Sequence, residues 1–187
     1  MHCTVTGQWT AAYQHAVKAS AIRKNYSAAL ILQDLSRQYE TEALLHAGGE
    51  QQAREEVQQL GERLGTNRRF RIPYLQSLAV LDTWEGERER TIDHLREAVQ
   101  LAAEIGLPTE QWQIQVALGR TYEARGELAQ AHTAFEEATT IQRLAEGIKD
   151  DALRSRFLAG PQIHPVLQQA QRLATLTPDD PMSPSGQ

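Results

Sequence analysis

The stretch that decides the fold is residues 112–144, WQIQVALGRTYEARGELAQAHTAFEEATTIQRL. Small side chains recur within it at Gly119, Ala131 and Ala138, and Gly126 lies between its two halves. Small residues let two helix axes approach closely, and a glycine readily adopts the left-handed conformation of a tight turn. The stretch therefore predicts two antiparallel helices, with large side chains filling the space around their contact. These side chains are Leu118, Tyr122, Leu128 and Phe135.

The same arrangement recurs along the chain at steps of 41, 38 and 40 residues. The glycines that mark these steps are Gly7, Gly48, Gly86 and Gly126. Each of them opens a helix-like run that carries small residues at matched offsets. A regular period of about 20–50 residues is typical of stacked repeats rather than of one globular core. The period thus predicts an all-α protein built from helical hairpins.

In the order and spacing of its small and large residues, the 112–144 stretch resembles the tetratricopeptide repeat (TPR). The resemblance extends less completely from Gly7 to Leu144, and Glu40 departs from it at a position that should be apolar. A spacing of about 40 residues, above the usual value of about 34, is similar to the long-repeat variety found beside ATPase or cyclase modules in bacterial regulators. The resemblance implies a right-handed α-solenoid of antiparallel helix pairs, with about three and a half repeats and C-terminal capping helices.

One helical repeat domain is predicted over residues 1–176. Its repeat-like units lie near residues 7–25, 27–64, 68–105 and 109–145, and its capping helices lie within residues 150–176. We expect the capping helices to cover the end of the stack with an apolar face. That face comprises Ile148, Leu153, Phe157 and Leu158. Residues 177–187 are rich in proline and predict a disordered tail.

Cap and turn residues predict where several helices begin and end. Gly106 closes one helix and Thr109 caps the next. Pro73 suits the first turn of an earlier helix, because its fixed φ angle matches the start of a helix. Asp150 caps a short helix near the C-terminus. Residues from Glu127 to about Leu144 are predicted to form one continuous helix.

The N-terminal repeat is predicted to lack its first helix. Only six residues precede Gly7, whereas a full first helix would need about 15 or more at a rise of about 1.5 Å each. Trp9 and the neighbouring alanines would then leave an apolar edge exposed, and such edges usually mark interfaces. We expect the chain to be the C-terminal arm of a larger bacterial signalling or regulatory protein. The alternatives are a half-repeat that caps itself and one that self-associates with a second copy of the chain.

The composition, with 41% hydrophobic and 6% aromatic residues, is typical of a cytoplasmic helical protein. A net charge of −5 argues against nucleic acid as a partner. No stretch of the sequence approaches about 18 consecutive apolar residues, so no membrane partner is expected. The single cysteine, Cys3, excludes an intramolecular disulfide framework.

The sequence carries no familiar motif for catalysis, metal binding or cofactor binding. It has no His-Glu-x-x-His pair, no Gly-x-x-x-x-Gly-Lys phosphate loop and no Gly-x-Gly-x-x-Gly pattern. The histidines are scattered without the i, i+4 spacing of helical zinc ligands. They are His2, His15, His46, His94, His132 and His164. We therefore expect no enzyme activity, no cofactor and no metal, and ordinary surface or turn roles for the histidines.

Four arginines surround one predicted loop, with Phe70 between them. They are Arg63, Arg68, Arg69 and Arg71. Arginine pairs well with phosphate oxygens, so one interpretation is an anion-binding or nucleic-acid-binding patch. The other interpretation is a solvated loop whose charges are neutralised by nearby glutamates. Those glutamates are Glu55, Glu56 and Glu62.

In the TPR family the first helices of successive units line a concave binding groove, and the resemblance carries this groove onto eight residues here. They are Gln76, Val80, Thr83, Trp84, Gln113, Val116, Arg120 and Glu123. Trp84 could anchor a partner and Arg120 could hold a carboxylate, since both residue types are enriched at binding hot spots. Alternatively, Trp84 packs on the next hairpin and Arg120 pairs with Glu123 at i, i+3.

The function that these features predict is a non-catalytic protein–protein interaction scaffold that binds a protein or peptide partner. The alternative is a ligand-sensing solenoid that binds a small molecule or peptide effector. Because repeat folds bind many unrelated partners, the fold sets an expectation for function and no more.

Overall fold

The computed structural model describes residues 7–25 and 35–176, and within these ranges it is helical and contains no strand. This confirms the all-α prediction. The helices are α1 (Trp9–Lys24), α2 (Arg37–His46), α3 (Glu50–Arg63), α4 (Arg68–Glu85), α5 (Arg88–Ile105), α6 (Pro108–Ala124), α7 (Leu128–Ala138), α8 (Ile141–Glu146), α9 (Asp151–Leu158) and α10 (His164–Leu176). The predicted tail at 177–187 and the start of the predicted unit at residue 27 lie outside the described residues.

The chain divides into two compact bodies. The N-terminal body is Met1–Ile114 and the C-terminal body is Gln115–Gln187. In the N-terminal body α1 packs against α2, α2 against α3 and α4, and α4 against α3 and α5. In the C-terminal body α10 packs against α7, and α9 against α8. Alanine, leucine and valine side chains fill one core of the N-terminal body, which includes Ala12, Ala16, Leu44, Leu45, Ala53 and Val57.

The glycine period of the sequence corresponds to a recurring backbone turn. The four period glycines all have left-handed φ angles, which are 70°, 77°, 83° and 77° for Gly7, Gly48, Gly86 and Gly126. The same helix-closing hydrogen bond recurs at three of these turns. The amide nitrogens of Gly49, Glu87 and Glu127 donate to the main-chain oxygens of Leu44, Asp82 and Tyr122 at 2.9, 2.8 and 3.0 Å. These bonds satisfy carbonyls that a helix end otherwise leaves unpaired.

The close approach predicted around Gly119 is confirmed in the C-terminal body. A Cβ atom built on Gly119 would lie 2.7 Å from two ring carbons of Phe135. The Phe135 ring is buried against α6 at this point, with 2% of its surface exposed. The glycine is therefore required for the packing of α6 on α7, and any larger residue must displace the ring.

Two predicted helix starts are wrong, whereas one predicted helix end and one predicted N-terminal cap are confirmed. Helix α4 begins at Arg68, before Pro73, because the Oδ1 atom of Asn67 caps it by accepting from the Arg69 amide at 3.2 Å. Helix α6 begins at Pro108 instead of being capped by Thr109, which places proline at the first helical position. Helix α5 ends at a left-handed Gly106 as predicted. Asp150 caps α9 as predicted, since its Oδ1 accepts from the Leu153 amide at 2.8 Å.

The single helix predicted from Glu127 to Leu144 is also wrong. Helix α7 ends at Ala138, and α8 begins at Ile141. The Thr139 hydroxyl donates to the main-chain oxygen of Glu136 at 2.6 Å. Threonine side chains that bond to the backbone compete with helical hydrogen bonds, and two adjacent threonines stand at this break.

The predicted capping face at the C-terminus is wrong for α9. This helix has no buried residue, and Leu153 and Phe157 are 56% and 37% exposed. Helix α10 supplies the buried apolar stripe instead. It consists of Val166, Ala170 and Leu173, and α10 packs on α7.

The predicted exposed edge at Trp9 is wrong as well. The Trp9 ring is half-buried and stacks on His46, with 3.7 Å between ring centroids. Ala12 and Ala16 of the same helix are buried in the core. The large apolar residues of α1 that are exposed are Tyr13, Val17 and Ile22 instead.

Candidate functional site

Four charged side chains from three helices meet inside the N-terminal body, and we call them the Arg–Glu cluster. They are Arg23 of α1, Arg37 and Glu40 of α2, and Glu56 of α3. Their side chains are 6%, 2%, 14% and 11% exposed, respectively. Burial of a charge costs several kcal/mol unless an opposite charge and hydrogen bonds compensate it. The geometry of the cluster supplies this compensation.

Each arginine of the cluster contacts both glutamates. Arg23 Nη2 lies 2.6 Å from Glu40 Oε2 and 2.9 Å from Glu56 Oε2. Arg37 Nη1 lies 3.1 Å from Glu56 Oε2 and 3.7 Å from Glu40 Oε2. Arg37 Nη2 also donates to the Glu56 main-chain oxygen at 2.9 Å. The planar fork of donors in arginine makes several such bonds at once, and the cluster thereby fastens α1 and α2 to α3.

The two glutamates are perturbed in opposite directions. Burial raises the pKa of Glu40 above its ordinary value of 4.5, against the lowering effects of Arg23 and Arg37. Burial alone would also raise the pKa of Glu56, but hydrogen bonds from Ser20 and Gln52 and the charges of the arginines together lower it. The fold therefore favours an ionised Glu56 and disfavours an ionised Glu40.

These opposite shifts predict a distinctive pH dependence of stability. The folded protein binds the Glu40 proton more tightly than the unfolded chain does. The Glu40 contribution to the free energy of unfolding is therefore present below pH 4.5 and is lost as the pH rises through the raised pKa. Glu56 contributes stability above pH 4.5, and this is lost as the pH falls below that value.

The measurement is urea unfolding between about pH 3.5 and 8 for the natural chain and for Glu40→Gln. The stability of the natural chain relative to the variant should fall as the pH rises above 4.5, because the glutamine side chain of the variant has no proton to lose. A relative stability that instead rises over this range would mean that the charge of Glu40 is favoured in the fold.

A cavity of about 690 Å³ adjoins the Arg–Glu cluster. All its lining residues have polar or charged side chains, and they come from α3, α1 and α2. The lining residues are Ser20, Arg23, Arg37, Gln52, Glu55, Glu56, Gln59, Glu62 and Arg63. Most small-molecule sites are lined mainly by apolar and aromatic side chains. The cavity therefore suits a polar, hydrogen-bonding occupant.

A second feature of the N-terminal body is an aromatic patch formed by Trp9, His46 and Trp84. Trp9 stacks on one face of His46, and Trp84 meets the same ring edge-on with 5.5 Å between centroids. The Trp84 indole nitrogen donates to Glu50 Oε1 at 3.2 Å. Even so, Trp84 is 45% exposed. The patch thus presents a large aromatic surface whose orientation is already fixed by neighbouring side chains.

The predicted groove residues lie in both bodies, and they differ in how deeply they are buried. In the N-terminal body Thr83 and Trp84 are exposed, Val80 and Gln113 are half-buried, and Gln76 is buried. In the C-terminal body Arg120 is exposed, Glu123 is half-buried and Val116 is buried. Gln76 and Val116 therefore have little surface to offer a partner.

Glu123 is engaged within the C-terminal body. It accepts from Gln169 Nε2 at 2.7 Å and pairs with Arg172, both on α10. The alternative pairing of Arg120 with Glu123 is thus replaced by a contact between helices, which ties α10 to α6.

Three of the four arginines around the predicted loop pair with glutamates, although with other ones than expected. Arg68 pairs with Glu104, Arg69 with Glu110, and Arg71 Nε donates to Glu97 at 2.7 Å. Arg63 Nε donates to the main-chain oxygen of Gln59 at 3.2 Å. The predicted partners Glu55 and Glu62 instead accept from Gln51 and Gln58. These pairings favour the solvated-loop interpretation over an anion-binding patch.

Neither a metal cluster nor a membrane-spanning helix is found among the described residues. No group of three or more His, Cys, Asp or Glu side chains in residues 7–25 and 35–176 could hold a metal ion. None of the described helices combines the length and the hydropathy needed to cross a bilayer.

Comparisons with known proteins returned no relative. The chain matches no protein-family model, no curated protein and no solved structure.

Proposed function

We propose that this chain is a non-catalytic protein–protein interaction scaffold. Its helix pairs stack as a right-handed α-solenoid of the TPR kind, and it forms the C-terminal arm of a larger cytoplasmic signalling protein of bacteria. The proposal of repeats is supported by the left-handed φ angles of the four period glycines and by the helix-closing bond that recurs at three of them. The repeat resemblance of residues 112–144 supports it from the sequence.

The observation that carries the proposed function is the aromatic patch. Tryptophan is among the residue types most enriched at binding hot spots, and a partly exposed indole can be buried further by a partner. The stacking on His46 and the bond to Glu50 fix the Trp84 ring before binding. A pre-organised anchor loses less conformational entropy on association, which favours affinity.

The experiment is quantitative affinity purification with three forms of the chain, namely the natural protein, Trp84→Ala and Leu176→Ala. Leu176 is the matched control, because it is also a large exposed apolar residue, at 55%, but lies on α10. We expect a partner that is retained by the natural chain and by Leu176→Ala and is depleted about tenfold or more by Trp84→Ala. Equal recovery with all three forms would refute the aromatic patch as the binding surface.

A second candidate function, a receptor for a small polar effector, is favoured by the cavity beside the Arg–Glu cluster. Its test is a thermal-shift screen with polar metabolites, repeated with Gln59→Ala, which alters the lining outside the cluster. A ligand at about 100 times its dissociation constant should stabilise the natural chain by about 2.7 kcal/mol. A shift that survives the substitution unchanged would place the ligand elsewhere.

A further inference from the structure

A buried carboxylate on α4 holds a histidine and an arginine of α5. Asp82 is 2% exposed, and its Oδ2 lies 2.7 Å from Nδ1 of His94. Its Oδ1 lies 2.9 Å from Nη2 of Arg90, one turn earlier on α5. The glycine period aligns Asp82 with Leu44 and Tyr122, so a carboxylate stands where the neighbouring repeats have large buried side chains.

The carboxylate fixes the chemical state of the imidazole. An ionised carboxylate can only accept hydrogen bonds, so Nδ1 of His94 carries the proton. In the neutral ring the lone pair then resides on Nε2. The His94 side chain is 24% exposed, and no group in the described part of the chain hydrogen-bonds to Nε2. A carboxylate behind a histidine also fixes the orientation of the ring.

His94 is distinguished in this way from the other described histidines. The His46 ring is covered by Trp9 and meets Trp84. Among the described residues no carboxylate contacts His15, His132 or His164. His94 is therefore the histidine whose Nε2 combines an accessible lone pair with a carboxylate that orients the ring.

Arg90 indicates which kind of ligand the surface beside His94 favours. Its side chain is 59% exposed and contacts the same carboxylate as His94, so a guanidinium lies at the surface beside the imidazole. A guanidinium matches the geometry and charge of phosphate oxygens. A metal cation would meet this positive charge with a single imidazole as its ligand, which disfavours a metal at this place.

We propose that His94 is a phosphoryl-accepting residue, with Nε2 as the nucleophile, Asp82 as the positioning residue and Arg90 as the partner of the transferred phosphate.

With a phosphoramidate donor, the Nε2 lone pair attacks phosphorus and forms a new N–P bond. The P–N bond of the donor breaks, and its nitrogen departs as ammonia with its protons. The Nδ1 proton stays on His94 against Asp82. The product is an imidazolium that keeps its Nδ1 proton against Asp82 and carries a doubly negative phosphoryl group on Nε2. A neutral surface ring thereby becomes a group with a net negative charge, a change able to recruit or repel a partner. This inference does not depend on the proposed partner binding.

The test is incubation of the full chain with potassium phosphoramidate, with site-resolved mass spectrometry and ³¹P NMR over time. His94 should be phosphorylated at Nε2 about tenfold faster than His15 or His132, by analogy with the effect of carboxylates behind metal-bound histidines. Asp82→Asn should remove this advantage at His94 and leave the rates at His15 and His132 unchanged. His94→Gln should abolish the fast site.

A second readout separates positioning from a merely structural role. Long-range ¹H–¹⁵N spectra should show the Nδ1–H tautomer for neutral His94 in the natural chain and its loss in Asp82→Asn. If Asp82→Asn unfolds, the comparison among histidines within the natural chain still decides the matter. Phosphorylation of His94 no faster than of His15, or an Nε2–H tautomer in the natural chain, would overturn the proposal.

Discussion

Replacing Glu56 by alanine should lower the free energy of unfolding by about 3–5 kcal/mol, the usual loss when one partner of a buried ion pair is removed. The Glu56 carboxylate accepts from Arg23 Nη2 at 2.9 Å and lies 3.1 Å from Arg37 Nη1. Without its carboxylate, two buried guanidiniums lose an acceptor that they share. The pKa of Glu40 is raised in the fold, so that glutamate is a poor replacement.

Glu40→Gln is the matched control for this prediction. Because the fold disfavours the charge of Glu40, its removal should leave the stability near neutral pH almost unchanged or slightly higher. Urea unfolding of both variants followed by circular dichroism measures the contrast. Equal losses for the two variants would mean that the cluster does not distinguish its two carboxylates.

The second large effect is expected at the contact between Gly119 and Phe135 in the C-terminal body. Phe135→Ala should cost about 3–5 kcal/mol, because the ring is 2% exposed and its removal leaves a cavity. Leu128→Ala on the same helix should cost much less, since Leu128 is 38% exposed.

A double-mutant cycle tests the close approach itself. Gly119→Ala alone should destabilise the protein, because its Cβ would lie 2.7 Å from the Phe135 ring. In the Phe135→Ala background the same change should stabilise α6 by up to about 1 kcal/mol, the helix-propensity advantage of alanine over glycine. Additive effects of the two substitutions would contradict the contact.

The turns and helix contacts that depend on a local residue pattern could be predicted from the sequence. The steps between glycines gave the turns at Gly48, Gly86 and Gly126, and the small residues around Gly119 indicated the closest helix approach. Helix starts were less predictable, because a single cap such as Asn67 outweighs the preference of Pro73 for a first turn. The break at Thr139 depends on a hydroxyl-to-backbone bond that no apolar periodicity reveals.

The polar sites depend on contacts between residues that are distant in the chain. Arg23 lies 33 residues from Glu56, and Asp82 lies 12 residues from His94. A signal was nevertheless present in the repeat frame. Glu40 aligns with Leu78 and Leu118, and Asp82 with Leu44 and Tyr122. In each case a charged residue occupies a position that is apolar in the other repeats. This signal marked Glu40 in the Arg–Glu cluster and Asp82 beside His94, but the sequence did not identify their partners.

The measurement that tests the proposed function most directly is a ¹H–¹⁵N titration of the labelled chain with the partner recovered by affinity purification. The chain has three tryptophans, so we expect three indole signals in the spectrum. Trp84 is 45% exposed in the aromatic patch, whereas Trp112 is 6% exposed and serves as an internal reference. We expect the Trp84 indole signal to shift on binding while that of Trp112 stays in place. An unmoved Trp84 signal with shifts confined to the C-terminal body would contradict it.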